Sequence, residues 1–536
     1  MLMTIVHAKN KKTGVTYVYE SEAYWDKEKQ QSRSRRKCIG KLDSETGELV
    51  PSKKYLAEKE LADLRKKPPG PVPSIESNRL FHGATYLFHS IGEQLGINHD
   101  LKRCFPQSHD RILSVAYYLI LEDRNPLSRF SRWGRTHVHP FGRDLPSQRS
   151  SDLFGTIGEH AKQQFFQTQS SRRLETEYLA YDTTSISSYS KLIKQVRWGK
   201  NKDGASLPQI NLALVYGQQS RLPVYYRKLP GNMADVSTVQ KMLADIDFLN
   251  IAKVNLVMDR GFYSEANVNA LYQKHYKFLM AARIGLSFIQ NVLDPVRETM
   301  KSRSGYSSEH QLHYYTQMIS WNYKETKKRS GEVINADKRF YLHLYYNNQR
   351  AADDKIAFDH LLDQLDAELL SDQRKKPHEA LYDKYYDIKE TPKRGLQITP
   401  RQTAIDDAQK NYGYFALISN GIKDPLEALQ IYRAKDIIEK AFGNLKERLN
   451  MRRTSVSSEE NLDGKLFIQF VALMHLAHID KVMRDNNLYK EYTLQGLLDE
   501  LDVIERFEQP GKKHHIGEMT KKQRSIYYLF GIEPPS

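Results

Sequence analysis

Tyr432-Arg433-Ala434-Lys435-Asp436-Ile437-Ile438-Glu439-Lys440-Ala441-Phe442-Gly443-Asn444-Leu445-Lys446 is the stretch from which the rest of the chain is read. A helix turns about 100° per residue, which brings Tyr432, Lys435, Glu439 and Lys446 within about 60° of one another. Ala434, Ile438, Ala441, Phe442, Leu445 and Leu449 form a separate apolar stripe, and Arg433, Asp436, Lys440 and Glu447 take the remaining face. A carboxylate, two ammoniums and a phenol then stand on the shoulder between core and water. That is a suitable place for a metal and for phosphates. Taken alone, the Lys435–Glu439 spacing is that of an ordinary surface ion pair. Two further carboxylates change its weight.

Leu179-Ala180-Tyr181-Asp182-Thr183-Thr184-Ser185-Ile186-Ser187 is dominated by β-branched and aromatic residues and reads as a strand. Val254-Asn255-Leu256-Val257-Met258-Asp259-Arg260-Gly261-Phe262-Tyr263 is an apolar run ending in an acid and a glycine turn. A lone Asp ending a strand commonly caps a turn or helix. Ionised at the end of a buried strand, it is costly unless paired or metal-bound. Two such strands followed by a Glu-bearing helix form a constellation. Three carboxylates can hold two divalent cations about 3.5–4 Å apart for in-line phosphoryl transfer, and oxygen ligands with open positions suit Mg²⁺ or Mn²⁺.

At these residues the chain resembles the DDE-type transposases of bacterial insertion sequences, in the insertion-sequence-four group. That group carries a Tyr-x₂-Arg-x₃-Glu-x₆-Lys signature, which falls here on Tyr432, Lys435, Glu439 and Lys446, with Lys in the Arg position. Lys is a point charge where Arg is a planar fork, so position 435 offers a phosphate one charge rather than a bidentate clamp. Tyr181-Asp182-Thr183-Thr184-Ser185, Asp259-Arg260-Gly261-Phe262 and Leu222-Pro223-Val224-Tyr225-Tyr226-Arg227-Lys228-Leu229-Pro230-Gly231-Asn232 resemble further family stretches. The resemblance runs over roughly residues 175 to 480. It implies Asp182, Asp259 and Glu439 as catalytic and metal-holding residues, with two Mg²⁺ or Mn²⁺ ions. It implies DNA contacts from Tyr432, Lys435, Lys446 and Arg260, and a Trp321 that stacks on an extruded base. Trp321 read by itself is an ordinary core tryptophan. The implied partners are double-stranded DNA, as terminal inverted repeats and target, and a second copy of the chain in the DNA complex.

A formal charge of +16 and a pI near 9.3 across 536 residues point to a polyanionic partner. Cys38 and Cys104 lack metal-ligand spacing, and a reducing cytosol fits them. The start lacks a signal peptide's apolar region, and no run approaches the apolar length of a membrane span. A bacterial cytoplasmic, nucleoid-associated protein with no membrane partner is the expectation.

The expected fold class is α/β. A ribonuclease-H-like catalytic core is interrupted by a β-rich insertion and flanked by an N-terminal β-hairpin module, a helical DNA-binding region and a helical C-terminal region. Residues 1–66 carry antiparallel strands around turns at 10–14 and 43–48, the basic run Arg33-Ser34-Arg35-Arg36-Lys37 and a helix near 54–66. Pro68-Pro69-Gly70-Pro71-Val72-Pro73 reads as a linker. The helical DNA-binding region is expected over 67–174, with helices at 79–95, 109–122 and 147–168, compatible with a helix-turn-helix or a plain bundle. The core's first part covers 175–284, with strands at 176–187, 208–217, 221–229, 253–259 and 277–283 and helices at 236–249 and 264–274. Asp259 and Glu439 lie too far apart for a compact core, which places an insertion at 285–411, with a helix at about 353–369 and charged loops such as Lys324-Glu325-Thr326-Lys327-Lys328-Arg329. The core resumes over 412–455, and 456–536 is the helical C-terminal region. His475 and His478, on its apolar helix 464–484, read as core histidines.

Strand cleavage with strand transfer is the leading function. The alternatives are a ribonuclease-H-like nuclease without joining activity and an inactive DNA-binding regulator derived from a transposase.

Overall fold

The structure is a computed structural model that describes residues 3–26, 29–44, 46–64, 78–122, 125–172, 177–249, 251, 253–326, 332–371, 373–391, 395–454, 456 and 458–536. The expected linker at 68–73 and positions 327–329 of the expected charged loop 324–329 lie outside these residues, and 324–326 are strand rather than loop, continuing the alternating run before them. The chain divides into two compact units, Met1–Ser77 and Asn78–Ser536.

In the first unit, β1 (Met3–Lys9), β2 (Thr16–Asp26), β3 (Gln31–Leu42) and β4 (Leu49–Pro51) form an antiparallel sheet in chain order, followed by α1 (Lys53–Leu64). The basic run lies on β3, where the register sets Lys37 opposite Glu20 and Arg35 opposite Glu22. Part of its charge is thus answered across the ladder.

The second unit opens with β5 (Asn78–Phe81) and the helices α2 (Gly83–Gln94), α3 (Ile97–Cys104), α4 (His109–Leu121), α5 (Phe130–Gly134), α6 (Ser147–Gly155) and α7 (Glu159–Ser171). The single helix expected over 147–168 is two, because Gly158 is extended and starts α7. Then come β6 (Tyr178–Ser188), β7 (Gln209–Gly217), β8 (Pro223–Pro230), α8 (Asp235–Phe248), β9 (Asn255–Met258), α9 (Glu265–Gln273), β10 (Lys277–Ala282) and α10 (Ser287–Val296). All but α10 sit within a few residues of their expected places, because alternating apolar residues and turn signals mark each of them, whereas α10 opens the stretch expected to be a β-rich insertion.

Residues 285–411 depart from a purely β-rich insertion. After β11 (Tyr306–Ser307), the long strands β12 (Leu312–Thr326) and β13 (Val333–Tyr346) extend the main sheet. Next, α11 (Asn348–Leu370), α12 (Glu379–Tyr385), the hairpin β14 (Tyr386–Thr391) and β15 (Gly395–Pro400), and α13 (Gln402–Gln409) gather around their own small core of Phe358, Leu365, Tyr382 and Tyr385. The cause is β16 (Tyr414–Ser419), which pairs with β10 on one side and β13 on the other and so makes one continuous sheet. That mixed sheet has ten strands, in the order β11-β12-β13-β16-β10-β9-β6-β7-β8, with the short β17 (Arg453–Thr454) beside β6. Within it β6, β7 and β8 are antiparallel neighbours, while β9 lies parallel to β6 and β10 parallel to β9.

The chain then forms α14 (Pro425–Ala434), α15 (Asp436–Gly443), α16 (Glu459–Asp485), α17 (Leu494–Asp502), the hairpin β18 (Glu505–Glu508) and β19 (His515–Ile516), and α18 (Lys521–Leu529). By length and composition α16 would satisfy a membrane span, with hydropathy 1.4, but 83% of that window is buried within the protein. Its Phe467 packs on Phe105 and Phe165, with ring centres 5.0 and 5.3 Å away, and its Phe470 packs on Phe166. The helical segments expected separately at 67–174 and 456–536 therefore share one core. Each fully buried large apolar side chain there contributes about 1.5–3 kcal/mol. α16 and α6 approach so closely at Gly464 that any Cβ there would run into the Phe154 backbone. Burial pushes His475 and His478 down to about 4, so both are neutral near pH 7, the first fully buried and the second half-buried.

The sheet's two faces set the position of the site. Alternation sends Leu179 and Tyr181 of β6, Leu256 and Met258 of β9, and Phe278 and Met280 of β10 into one core, shared with residues of α8, α9 and α10. Ala180 and Val257 face the other way, toward α16 and α14 respectively. Asp182 and Asp259 continue the parity of Ala180 and Val257, so both belong to the face that carries α14 and α15.

Candidate active site

β6 and β9 are parallel, with Tyr181 opposite Met258. Asp182 and Asp259 are the next residue on each strand, and adjacent strands run about 4.8 Å apart. The two carboxylates are therefore neighbours, Asp259 just past the C-terminal end of β9 and Asp182 within β6 beside it. Asp259 caps the short turn Arg260–Phe262, accepting the Arg260 backbone N–H at 2.8 Å, and accepts the Tyr432 hydroxyl at 2.7 Å. Asp182 accepts the Thr183 backbone N–H at 2.7 Å and lies 3.6 Å from the Lys202 Nζ.

Their environments pull them apart. Burial pushes the Asp182 carboxyl up, and Lys202, the Thr183 N–H and Lys435 offset it only in part. Burial acts on Asp259 too, but the Tyr432 hydroxyl, the Arg260 N–H and Lys435 outweigh it and hold that carboxyl below the usual aspartate range. The Tyr432 phenol is raised, by burial first and then by Asp259.

The helix expected through 432–449 breaks at Lys435. α14 ends at Ala434, α15 starts at Asp436, and residues 444–448 form a π-helical turn. The Lys435 N–H bonds to Tyr432 O at 3.1 Å and the Ile438 N–H to Lys435 O at 3.0 Å, both three-residue steps that tighten the turn. The change of pitch turns Lys435 inward, to 6% exposure, and leaves Glu439 exposed. Ala434, expected on the apolar stripe, is exposed, whereas Ile438, Ala441, Phe442, Leu445 and Leu449 are buried.

Lys435 is the hub. Its Nζ donates to Glu439 Oε1 at 3.1 Å, and its ammonium is held protonated against burial by Asp259, Glu439 and Asp182. One cation thus stands among carboxylates from β6, β9 and α15. Among the described residues, no three His, Cys, Asp or Glu side chains stand at metal-ligand spacing. The donors nevertheless suit a hard divalent cation, being all oxygen, with a half-buried aspartate whose charge is only partly answered by ammoniums.

The other expected site residues are engaged within the chain. Lys446 Nζ donates to Asp203 Oδ1 at 2.6 Å. Arg260 is exposed and lines a cavity of about 600 Å³ with Asp259, Arg283, Arg350 and Tyr432. Trp321, on β12, is half-buried, packs on Phe340 and Phe288, and donates its indole N–H to Asn269 at 2.8 Å. Of these three, only Arg260 borders a carboxylate of the site, sharing its cavity with Asp259.

Sequence reasoning missed Lys202, Asp235, Arg283 and Arg350. Asp235 opens α8 just past the Gly231-Asn232 stretch, and its Oδ2 lies 3.2 Å from Lys202 Nζ. Lys202 lies in Asn201-Lys202-Asp203-Gly204, a sequence that signals only a turn.

The family described as the transposase DDE domain matches residues 173–474, more than half of the chain. The chain belongs to the transposase DDE domain family. Asp182, Asp259, Lys435, Glu439 and Lys446 all fall within the DDE-domain match. No curated protein matches the chain. Among solved structures, the cryo-EM structure of a piggyBac transposase synaptic complex with hairpin DNA resembles it over 83% of this chain and 74% of the other, at 12% identity and a TM-score of 0.32.

Proposed function

We propose that this chain is a DNA transposase that binds the ends of an insertion sequence and carries out divalent-metal-dependent strand cleavage and strand transfer, moving its element by cut and paste. The observation that carries the reading is the placement of Asp182, Asp259 and Glu439 around one buried ammonium, inside the stretch that matches the DDE domain. The strand order supports a ribonuclease-H-like core, with three antiparallel strands and then two parallel ones added beside the first. The Tyr432, Lys435, Glu439 and Lys446 spacing supports the insertion-sequence-four group.

Asp182 and Asp259 would hold Mg²⁺ or Mn²⁺, and Glu439 would join them on leaving Lys435. A divalent ion supplies charge neutralisation at the scissile phosphate and at the hydroxyl that attacks it. Tyr432 orients Asp259 and keeps it ionised. Lys446 and Arg260 neutralise backbone phosphates and so set the strand's position. Lys435 balances the carboxylates before substrate binds. The partner is double-stranded DNA, at the element's ends and at the target, engaged by two copies of the chain in the bacterial cytoplasm.

The experiment is cleavage and joining of linear DNA carrying the element's ends, with and without Mg²⁺. Wild type should cut and join only with the ion. Glu439→Gln, which keeps size and loses charge, should bind the ends normally while both reactions fall by roughly a thousandfold. Cutting without joining would favour the nuclease, and wild-type rates from Glu439→Gln would remove it from the site.

A further inference from the structure

The turn Asn201–Gly204, between β6 and β7, reaches into the site from the side that the sequence did not flag. Its shape is locally encoded. Gly204 has φ +72, its N–H bonds to Asn201 O at 3.2 Å, and the Asp203 N–H bonds to the Asn201 side chain at 2.8 Å. Four bonds pin it to β6: Asn201 Nδ2 donates to Ser187 Oγ at 3.2 Å, the Lys202 N–H donates to Ser185 Oγ at 3.2 Å, and Lys202 Nζ donates to Thr183 O at 2.8 Å and to Thr183 Oγ1.

Two adjacent residues of this turn take opposite charges in the site. Lys202 Nζ has oxygen neighbours in Thr183 O, Thr183 Oγ1 at 2.7 Å, Asp235 Oδ2 at 3.2 Å and Asp182 Oδ1 at 3.6 Å. Thr183 Oγ1 in turn donates to Asp235 Oδ1 at 2.5 Å. Asp203 Oδ1 accepts from Lys446 Nζ at 2.6 Å, and the Lys446 side chain is only 11% exposed. Lys202 and Asp203 are consecutive, so one short turn carries both the Asp182 and the Lys446 contact. An ammonium stands where a cation would meet Asp182, and a carboxylate oxygen stands where a phosphate oxygen would meet Lys446.

We propose that this turn is an internal occupant of the DNA site, in which Asp203 holds Lys446 in place of a backbone phosphate while Lys202 holds Asp182 and Asp235. Both pairs must open before a strand enters, which makes Asp203 a brake on DNA engagement and Lys202 an additional cation for the strand once it is released. This inference rests on the transposase reading above.

The test is binding of a fluorescein-labelled duplex of mixed sequence by the full chain, read by anisotropy across a salt series. Asp203→Asn should bind roughly fivefold more tightly, the scale of one released partly exposed ion pair. Its log–log salt slope should steepen by about one, for one more phosphate neutralised. In a Lys446→Ala background the same substitution should give no gain. Losing one negative charge anywhere would help equally in both backgrounds, so an equal gain overturns the proposal, as does no gain or a loss in the Lys446-bearing protein. Asp203→Ser, which also suits the turn, repeats the test should Asn unfold it. A wild type that binds no duplex at low salt overturns the transposase reading and this inference with it, whereas a binding wild type with an inert Asp203→Asn overturns this inference alone.

Discussion

Asp182 and Asp259 stand side by side on parallel strands and face the same helices, yet the fold treats them oppositely. Asp259 sits where β9 turns, and a phenol and a backbone N–H are aimed at it. Asp182 lies within β6 rather than at its end, so burial outweighs its two shared ammoniums and one N–H. The difference shows what a neighbouring element can do: α14 brings a phenol, Tyr432, to one carboxylate, while the other has the Lys202 turn, the adjacent Thr183 N–H and a share of Lys435. One aspartate is satisfied by the protein, and the other is left short of positive charge.

The largest expected effect comes from neutralising each in turn. On the proposed reading, Asp182→Asn and Asp259→Asn should both cut DNA cleavage by roughly a thousandfold, because each would remove an anionic ligand. Their thermal stabilities should then move in opposite directions. Folding raises the Asp182 pKa, so its ionised form costs stability above the ordinary aspartate pKa, a cost that vanishes as pH falls below that value. Folding lowers the Asp259 pKa, so it adds stability above the ordinary value that is lost as pH falls through its folded one. At pH 7, Asp182→Asn should raise Tm and Asp259→Asn should lower it, each by about 1–4 °C. Asp235 remains to pair Lys202 in the first variant. Melts shifting the same way would break the contrast.

A second test removes the satisfaction of Asp259 alone. Tyr432→Phe keeps the ring and deletes the hydroxyl at 2.7 Å. Burial then goes less answered and the Asp259 pKa rises. In wild type the acidic limb of the cleavage rate should be set by Asp182, the higher of the two, and fall with one proton. In Tyr432→Phe the second carboxylate joins it, so at limiting Mg²⁺ the limb should move to higher pH and steepen toward two protons. The rate at pH 7 should fall roughly tenfold, the scale of a lost hydrogen bond to a charged group. An unmoved limb would show that Tyr432 does not tune Asp259.

The strands that carry both aspartates were legible because alternation and turn residues are local signals, and so was the presence of an acid at each position. The contrast between them was not, since it depends on Tyr432 and Lys202, which lie far away along the chain. The Glu439 helix was read as one regular coil from its apolar stripe. Its three-residue bonds at Lys435 and its π-turn at 444–448 carry no composition signal, and the first of these sets the phase between buried Lys435 and exposed Glu439. The mixed sheet outran expectation for a related reason. β12 and β13 look like any hairpin in sequence, and only the partners of β16 reveal that they continue the core sheet.

The smallest effect is expected at Lys435, where the two aspartates and Glu439 meet. The ammonium is buried, donates to Glu439 and is held protonated by all three carboxylates. A guanidinium keeps that charge and adds a planar fork that can reach two carboxylates or a phosphate at once. Its extra bulk is the cost in a position only 6% exposed. Lys435→Arg should therefore keep cleavage within about threefold of wild type, in either direction, since one partly compensated gain and loss differ by less than 1 kcal/mol. Lys435→Met, which keeps length and loses charge, is the contrast. It should lower the melting temperature as three carboxylates lose their shared cation. An inactive Lys435→Arg that still melts like wild type would show that a compact ammonium, and not positive charge alone, is what the three carboxylates require.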